Sequence, residues 1–423
     1  MKAFTWLAVL VSSGAALAAQ PEPVPKLPLG VSATLYALSV PAAHRPTPAR
    51  IALGDKLFND KRLSADDSVS CATCHDPQRA FTDGKARSVG IKNQVGKRNS
   101  PTVLNALFNA TQFWDGRSGT LEEQAVLPII NPIEMGMPDL DAVVAKVKGI
   151  PEYASAFRDV YGREVTAEDL ASALAAFERT QFSGNARFDR FLAGESNALS
   201  ASEKRGWALF NGKARCNSCH AGNAVSPLFS DQKFHNIGIA AHAHDFPKLA
   251  GEALRVVRTG DAKQIDELAL QTDLSEMGRF LVTKNENDIG GFKTPTLRNV
   301  GVTGPYMHDG SLATLWDVMD HYNKGGVPNP YLDGGMQRLG LTEPEIDDVV
   351  AFLFALTSTD LSALEKKELT AQRARKNKRP ERDTAAALGQ KGNLGDIGVT
   401  PDLAVENPAA RGFYGPVGAS KEN

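Results

Sequence analysis

Two pentapeptides, Cys71-Ala72-Thr73-Cys74-His75 and Cys216-Asn217-Ser218-Cys219-His220, contain all four cysteines of this 423-residue chain. In the pattern C-x-x-C-H, the two thiols can form thioethers with the vinyl groups of a haem, and the histidine can bind the haem iron. A zinc site, two disulfides or a thioredoxin-like redox pair could use the same cysteines. None of these explains a histidine directly after each cysteine pair. The motifs therefore predict two covalently bound haem c groups, with His75 and His220 as axial ligands.

The first residues have the pattern of a secretory signal peptide. Lys2 is followed by an apolar run from Ala3 to Leu10 and then by small residues that end in Ala16-Leu17-Ala18. This run is shorter than the ~20 residues of a membrane-spanning helix, and no later stretch is apolar enough to span. We therefore expect an exported, periplasmic protein without a membrane span.

Length, charge and an internal repeat restrict the organisation of the chain. Its length exceeds that of one typical domain, and its formal net charge of −2 argues against nucleic acid as a partner.

A short repeat precedes the two haem motifs. It is Gly54-Asp55-Lys56-Leu57-Phe58 before the first motif and Gly206-Trp207-Ala208-Leu209-Phe210 before the second. A duplicated one-haem domain explains this repeat. Alternating β-branched runs are scarce, so the predicted fold is mainly α, with two cytochrome c-like haem domains, long loops and little β structure.

Five segments follow from these features. Apolar residues at helical spacing between Thr166 and Leu192, ending near Gly194, mark the end of the first domain. A capping box at Thr342-Glu343-Pro344-Glu345 predicts a helix through Leu356. The predicted segments are a signal peptide (1–18), a proline-rich lead-in (19–48), an N-terminal haem domain (49–195), a C-terminal haem domain (196–360) and a polar C-terminal tail (361–423).

A series of short motifs surrounds the haem sites. They are Arg98-Asn99-Ser100-Pro101-Thr102, Phe113-Trp114-Asp115-Gly116-Arg117, Asn131-Pro132-Ile133-Glu134-Met135-Gly136, Phe292-Lys293-Thr294-Pro295-Thr296-Leu297-Arg298-Asn299 and Pro305-Tyr306-Met307-His308-Asp309-Gly310. With the haem motifs, they resemble the bacterial dihaem cytochrome c peroxidase and MauG family over roughly residues 54–356. The resemblance implies a peroxide-reacting N-terminal haem and a C-terminal haem that relays electrons or stores an oxidising equivalent.

The resemblance also implies three catalytic residues. Glu134, twenty residues after Trp114, matches the family's distal glutamate, a carboxylate that can move the proton that O–O cleavage requires. Gln124 would be a second polar group over the open iron face, with Pro128 in the same pocket. Trp114 matches an electron relay between the two haems. Without the resemblance, each has an ordinary reading: a turn-capping glutamate, a helix-surface glutamine and a buried tryptophan.

One Ca²⁺ ion between the two domains is a further implication of the resemblance. Asn99 matches a side-chain amide ligand, and Thr303 and Pro305 match two backbone carbonyl ligands, with water completing the shell. Hard oxygen ligands suit Ca²⁺. No cluster of Asp and Glu indicates the ion independently.

The sixth ligand of the second haem departs from the classical pattern. Fourteen residues after His308, where classical members have methionine, this chain has Tyr322, as in MauG. A thioether favours Fe(II) and raises the potential, whereas a phenolate favours Fe(III), so Tyr322 predicts a low potential. Met319 or His321 is the alternative ligand if the loop is shifted.

A second departure concerns the first haem. No histidine lies between His75 and His220, and the position of the classical distal-loop histidine is near Ile91. We therefore expect an open or water-bound iron that reacts with peroxide without prior reduction.

Two features bear on the partner of the protein. Ala214 stands where MauG has a surface tryptophan that draws electrons from a protein substrate, and Trp207 or Trp316 could replace it. Residues 240–275 resemble an insertion, whose His242 and His244, with His235, could suggest a metal site but are more typical of solvated loop histidines. Homodimerisation stays open.

The leading hypothesis is a periplasmic dihaem peroxidase. It would reduce H₂O₂ to water through a ferryl first haem, with electrons from a small cytochrome c or cupredoxin. The alternative is a MauG-like enzyme that oxidises Trp or Tyr residues of a partner protein. A non-catalytic electron carrier ranks last, because it has no use for Gln124 and Glu134.

Overall fold

The computed structural model describes residues 26–40, 44–222, 228–260 and 262–376. The predicted signal peptide and residues 377–423 of the predicted tail lie outside these ranges. The described chain is mainly α-helical, as predicted, and has one short antiparallel pair, β1 (Phe234–His235) and β2 (Phe292–Lys293). Its α-helices are α1 (Ala33–Ser39), α2 (Pro48–Asn59), α3 (Cys71–Cys74), α4 (Leu121–Ile130), α5 (Leu140–Lys148), α6 (Pro151–Tyr161), α7 (Ala167–Glu178), α8 (Arg187–Leu192), α9 (Ala201–Asn211), α10 (Phe246–Thr259), α11 (Ala262–Gln271), α12 (Phe280–Thr283), α13 (Leu315–Lys324), α14 (Glu343–Phe354) and α15 (Ser362–Lys376).

The helices of the described chain are short. The longest, α15, has 15 residues, and α10 has 14. A helix needs ~20 mostly apolar residues to span a bilayer. Within the described ranges, no helix is both long enough and apolar enough to cross a membrane.

The N-terminal core is formed by α2 and α4–α7. Threonine side chains cap α2, α4 and α7 at their first turns, where Thr47, Thr120 and Thr166 accept backbone N–H bonds. Leu57, Phe58, Phe157, Leu170 and Leu174 are fully buried in this core. Each such side chain stabilises the fold by about 1.5–3 kcal/mol relative to an exposed one.

The C-terminal core repeats this plan with α9, α13 and α14. Phe188, Phe210, Phe229 and Phe352 pack there with ring centroids 5.2–6.5 Å apart, and Trp207 lies against three of these rings. The capping box predicted at Thr342 opens α14, which extends to Phe354. Each haem motif therefore lies beside its own hydrophobic core.

A glycine at each helix crossing explains the internal repeat. A Cβ atom at Gly54 on α2 would overlap the carbonyl oxygen of Ala173 on α7. A Cβ atom at Gly206 on α9 would overlap the carbonyl oxygen of Asp348 on α14 in the same way. Both glycines let two backbones approach closely, so the repeat preserves a helix crossing.

Replacing Gly54 with alanine is therefore expected to destabilise the protein by about 1–3 kcal/mol. The free-energy cost of overpacking against the backbone of α7 is larger than the free energy gained from the higher helix propensity of alanine. Chemical denaturation of the holoprotein measures this difference. Gly251 on α10 is the matched control, since a Cβ atom there meets nothing within 4 Å. Gly251→Ala should be neutral or stabilising by up to ~1 kcal/mol. Equal stability of Gly54→Ala and the wild type would contradict the crossing argument.

The segment predicted as an insertion forms a third hydrophobic cluster. Residues 240–275 contain α10 and α11, and Phe246, Ala250 and Ala253 pack there against Leu274 and Met277. The following 3₁₀ turn, Asp273–Met277, brings Glu276 into the protein interior.

Helix α15 lies in the segment predicted as a polar tail, but it is docked on the C-terminal core. Gln372 is 1% exposed; its amide group accepts from Leu315 N–H at 2.9 Å and donates to the Tyr306 hydroxyl at 2.9 Å. Glu365 pairs with Arg187 of α8 at 2.8 Å. These contacts distinguish α15 from a solvated helix.

Candidate active site

Each haem-motif histidine is oriented by a backbone carbonyl. His75 Nδ1 lies 3.2 Å from the carbonyl oxygen of Phe81, and His220 Nδ1 lies 2.8 Å from that of Phe229. A carbonyl only accepts hydrogen bonds, so Nδ1 carries the proton and Nε2 keeps the lone pair that iron binding requires. Phe81 and Phe229 have φ angles of +57° and +55°, an unusual conformation for phenylalanine that both halves share.

Glu134 lies in a turn that folds back on the end of α4. Met137 N–H donates to Ile129 O at 2.9 Å, and Gly136 N–H donates to Asn131 O at 2.8 Å. The Asn131 side-chain amide donates to Glu134 Oε1 at 2.8 Å. The turn and the amide together fix the carboxylate.

The carboxylate of Glu134 lies close enough to the first haem motif to influence its cysteines electrostatically. Burial raises the pKa of the Cys71 thiol to about 12, and the carboxylates of Glu178 and Glu134 add to the shift. Burial also raises the pKa of the Cys74 thiol to about 11, again with a contribution from Glu134. Glu134 is therefore within electrostatic reach of both cysteines. Burial raises the pKa of Glu134 itself, and the charge of Arg117 opposes that rise.

Gln124 and Pro128 lie four residues apart on α4 and thus on one helix face. Pro128 is half-buried within the helix, and its carbonyl oxygen accepts Met135 N–H at 3.3 Å. This bond joins α4 to the turn that holds Glu134. The three predicted pocket residues therefore belong to one local unit.

The loop that carries Ile91 packs directly against this turn. Ile91 N–H donates to the Glu134 carbonyl at 2.9 Å, and the Ile91 side chain is buried. A Cβ atom at Gly90 would overlap the carbonyl oxygens of Ile133 and Glu134. The position of the classical loop histidine is thus next to Glu134 and carries an aliphatic side chain.

Every histidine outside the two haem motifs contacts another partner. His308 Nε2 lies 2.6 Å from Glu276 Oε2, and His44 Nδ1 lies 2.7 Å from Glu122 Oε1. The remaining ones pair as His235 with Asp231 and Asp333, His242 with His321, and His244 with Asp273. None of them supplies a ligand above the first motif in this structure.

Two backbone hydrogen bonds join the two halves around Trp114, and a third bond, within the N-terminal half, holds its indole. The indole Nε1–H donates to Asn99 O at 2.8 Å, and Asn99 N–H donates to His308 O at 2.8 Å. Lys293 N–H donates to Trp114 O at 2.8 Å. Trp114 is half-buried at this junction.

The duplication predicted from the segments before the haem motifs extends into the segments after them, an extension that was not identified from sequence. Asn99 and Lys293, and likewise Trp114 and His308, are 194 residues apart, so the crossing bonds Asn99–His308 and Lys293–Trp114 are equivalent. Asn105 and Asn299 share the same φ and ψ angles of 61° and 15°. The matching Pro-Thr pairs, 101–102 and 295–296, could have revealed this repeat.

The repeat places Pro128 and Tyr322 at equivalent positions. Helices α4 and α13 each have ten residues and begin after a threonine cap, Thr120 and Thr314. Pro128 is the eighth residue after the first cap, and Tyr322 is the eighth after the second. Proline has no side-chain ligand atom, whereas tyrosine has a phenol oxygen. A residue at this position can therefore supply an iron ligand only in the C-terminal half.

Tyr322 faces the second haem motif. Burial raises the pKa of its phenol, and the charges of Cys216 and Cys219 add to the rise. Among the described residues, the Tyr322 hydroxyl has no hydrogen-bond partner. The residues present fit a haem with His220 and Tyr322 as donors on its iron.

The two alternative ligands are engaged elsewhere. His321 Nε2–H donates to Ile237 O at 2.9 Å, and Nδ1 lies 3.0 Å from His242 Nε2. Burial lowers the pKa of His321 to about 4. Met319 is buried in the C-terminal core.

The predicted calcium ligands have unused oxygen atoms. Asn99 Nδ2 donates to Lys85 O at 2.8 Å, which orients the amide and leaves Oδ1 for a cation. No hydrogen bond among the described residues uses the carbonyl oxygens of Thr303 or Pro305. These neutral oxygen donors fit Ca²⁺.

Three further residues of the site were not identified from sequence. Asn131 orients Glu134, and Lys293 is a buried lysine at the junction of the halves. Burial raises the pKa of Glu178 to about 8, and this carboxyl group influences Cys71. The one available signal for Glu178 was an acidic residue within an apolar stretch of α7.

The residues considered for a surface relay are packed inside the C-terminal domain. Ala214 is buried, and Trp207 lies in the phenylalanine cluster. Trp316 is buried and its Nε1–H donates to Asp347 Oδ1 at 2.6 Å. Trp316 also lies under the Lys376 ammonium group at 5.3 Å.

Comparison with known proteins shows the family of this chain. A family model described as "Di-haem cytochrome c peroxidase" matches residues 48–197. The chain is 41% identical to the methylamine utilization protein MauG of Methylorubrum extorquens, over 75% of this chain and 80% of that one. It is 40% identical to the cytochrome-c peroxidase IdrP1 of Denitromonas iodatirespirans, over 79% of this chain and 87% of that one.

A solved structure has the same fold. It is that of a MauG-like protein associated with microbial copper homeostasis, with a TM-score of 0.62 and 31% sequence identity. The match covers 76% of this chain and 93% of that one.

Proposed function

Because the chain belongs to the dihaem cytochrome c peroxidase family, whose members are haem oxidoreductases, we propose that it is a periplasmic peroxidase that reduces H₂O₂ to water. The electrons would come from a small redox protein, either a cytochrome c or a cupredoxin. The reaction consumes one H₂O₂, two electrons and two protons and yields two water molecules. Cys71 and Cys74 would attach the first haem, and Cys216 and Cys219 the second.

The position of Glu134 carries this proposal. A carboxylate lies near the first haem motif, is fixed by Asn131, and has an aliphatic loop beside it instead of a histidine. This arrangement puts a proton acceptor near the first haem motif without a histidine that could bind its iron. An electron carrier needs neither feature.

The chain's own residues would perform the proton transfers. The bound haem supplies an iron centre at which the O–O bond can be cleaved by two electrons. Glu134 would accept the proton from one oxygen of the peroxide and deliver it to the other. Gln124 donates a hydrogen bond to the bound oxidant, and Asn131 holds Glu134 in place.

Other residues would serve electron transfer and the junction between domains. Trp114 occupies the place where the two halves cross, and Tyr322 would cap the second iron with His220. Asn99, Thr303 and Pro305 would hold one Ca²⁺ ion beside Trp114, which donates to the Asn99 carbonyl. An ion at this point would stiffen the junction.

Steady-state turnover tests the proposal directly. The purified dihaem protein, mixed with H₂O₂ and reduced cytochrome c or cupredoxin, should oxidise two donor molecules per H₂O₂. Heat-inactivated protein is the control. Negligible turnover with both donor classes would refute the peroxidase assignment.

Oxidation of Trp or Tyr residues in a partner protein is the second candidate. It is favoured by the tyrosine at position 322 and by the likeness to MauG, whereas Ala214 lacks the relay that MauG uses. Slow turnover of small donors, combined with peroxide-dependent cross-linking or hydroxylation of a co-purified protein, would support it. Electron paramagnetic resonance separates both enzymes from a carrier, since a carrier predicts two low-spin ferric haems.

A further inference from the structure

Lys293 is a buried ammonium group without a counter-ion. Lys293 is 8% exposed to solvent. Among the described residues, no hydrogen bond or ion pair of its Nζ is found. Burial alone lowers the pKa of Lys293, to about 8. A buried charge normally requires a partner, because desolvation of an unpaired ion is costly.

Two acidic residues that lie close to this strand pair in the fold are already paired with other groups. Glu276 contacts His308 and Arg98, and Asp231 contacts His235. Lys293 therefore cannot recruit either carboxylate without breaking an existing pair. An anion supplied by a bound group would complete the site.

Backbone hydrogen bonds connect the strand of Lys293 to both halves of the protein. Its strand, β2, pairs with β1, and Asp231, just before β1, donates its N–H to Cys219 O of the second haem motif at 2.8 Å. Its own N–H donates to Trp114 O of the N-terminal half. By the structural repeat, Lys293 is the counterpart of Asn99.

We infer that the Lys293 ammonium group forms an ion pair with a propionate carboxylate of a bound haem. Haem propionates are the anionic groups that a dihaem protein brings to its interior, and they complement a buried lysine whose strand is linked to Trp114 and, through β1, to the second haem motif. The inference rests on the presence of two haems in the proposed function. It does not depend on peroxide turnover, so the two can fail separately.

The reduction potentials of the two haems test the inference. A cation next to a haem favours the reduced state, which carries one more electron. Lys293→Met should therefore shift the midpoint potential of one haem downward. Potentiometric titration of the holoprotein, followed by the electron paramagnetic resonance signals of both ferric haems, identifies which haem supplies the propionate.

Lys233 provides the matched control. It is an exposed lysine directly before β1, so Lys233→Met removes the same charge nearby without removing a buried partner. This variant should leave both potentials close to the wild-type values, because solvent screens its charge. Equal shifts in the two variants, or no shift in either, would overturn the ion pair.

A second pair of variants covers the case in which Lys293→Met does not retain haem. Lys293→Arg keeps the cation and should hold the potential near that of the wild type. Lys293→Gln keeps hydrogen bonding but removes the charge, and should lower the potential. Identical potentials in the arginine and glutamine variants would exclude a charged partner.

Discussion

Glu134→Gln is expected to slow H₂O₂ consumption by roughly 10²–10⁴-fold, the usual contribution of a positioned acid–base group. The amide has nearly the shape of the carboxylate but cannot accept the proton that peroxide must lose. Because the turn from Asn131 to Met137 is held by backbone bonds, the substitution should not move the pocket. Both haem spectra should therefore stay unchanged. Stopped-flow measurement of peroxide decay gives the rate.

The pH dependence adds a specific signature. Burial raises the pKa of Glu134, so the group should lose its proton at a pH above the ordinary glutamate value of about 4.3. The acidic limb of kcat/KM should accordingly lie above that pH, with activity falling as the carboxylate becomes protonated. Glu134→Gln should remove this limb.

An exposed glutamate of the same domain serves as the control. Glu164 is 70% exposed and faces Lys148, away from the haem motif. Glu164→Gln should change neither the rate nor its pH profile. If Glu134→Gln consumed peroxide as fast as Glu164→Gln, the assignment of Glu134 as the proton carrier would be wrong.

Local signals made the helical fold and the haem motifs predictable from sequence. Apolar spacing predicted helical structure over the segment that contains α7, and the capping box at Thr342 predicted α14. All four cysteines lie in complete C-x-x-C-H motifs. Each of these signals is contained in a few adjacent residues. The predicted domain boundaries stay predictions.

Contacts between distant segments could not be predicted in the same way. The need for glycine at Gly54 depends on a carbonyl of α7 more than a hundred residues later, and Asn131 acquires its role only when the turn closes on Glu134. Helix α15 has a polar sequence, yet one glutamine, Gln372, anchors it in the core. Lys293 reads as an ordinary strand lysine until its burial is known.

The structural repeat adds a physical reason for unequal haems. Pro128 and Tyr322 occupy the same place on equivalent helices, so a single position decides whether an iron has a sixth protein ligand. The hydroxyl of Tyr322 has no hydrogen-bond partner within the described residues. His321 and Met319 are held by other contacts. These features support the proposal that Tyr322 is the ligand.

Tyr322→Met is accordingly expected to raise the potential of the second haem by on the order of hundreds of millivolts. Axial ligands set haem potentials over a range of roughly 0.8 V, and a thioether favours Fe(II) whereas a phenolate favours Fe(III). Tyr322→Phe should instead remove the ligand, so that both ferric haems give high-spin electron paramagnetic resonance signals. Potentiometry and these spectra measure the two effects.

His321→Gln is the matched variant, because His321 is the adjacent residue and the competing ligand. It should leave the second haem low-spin and its potential near that of the wild type, since His321 bonds to Ile237 and His242. The opposite pattern, a low-spin second haem in Tyr322→Phe and a high-spin one in His321→Gln, would identify His321 as the sixth ligand.

Because the proposed reaction needs one open and one capped iron, Tyr322→Phe should also lose the capacity of the second haem to hold an oxidising equivalent. The first haem, which is on the other side of the Trp114 junction, should keep its own high-spin signal in every variant.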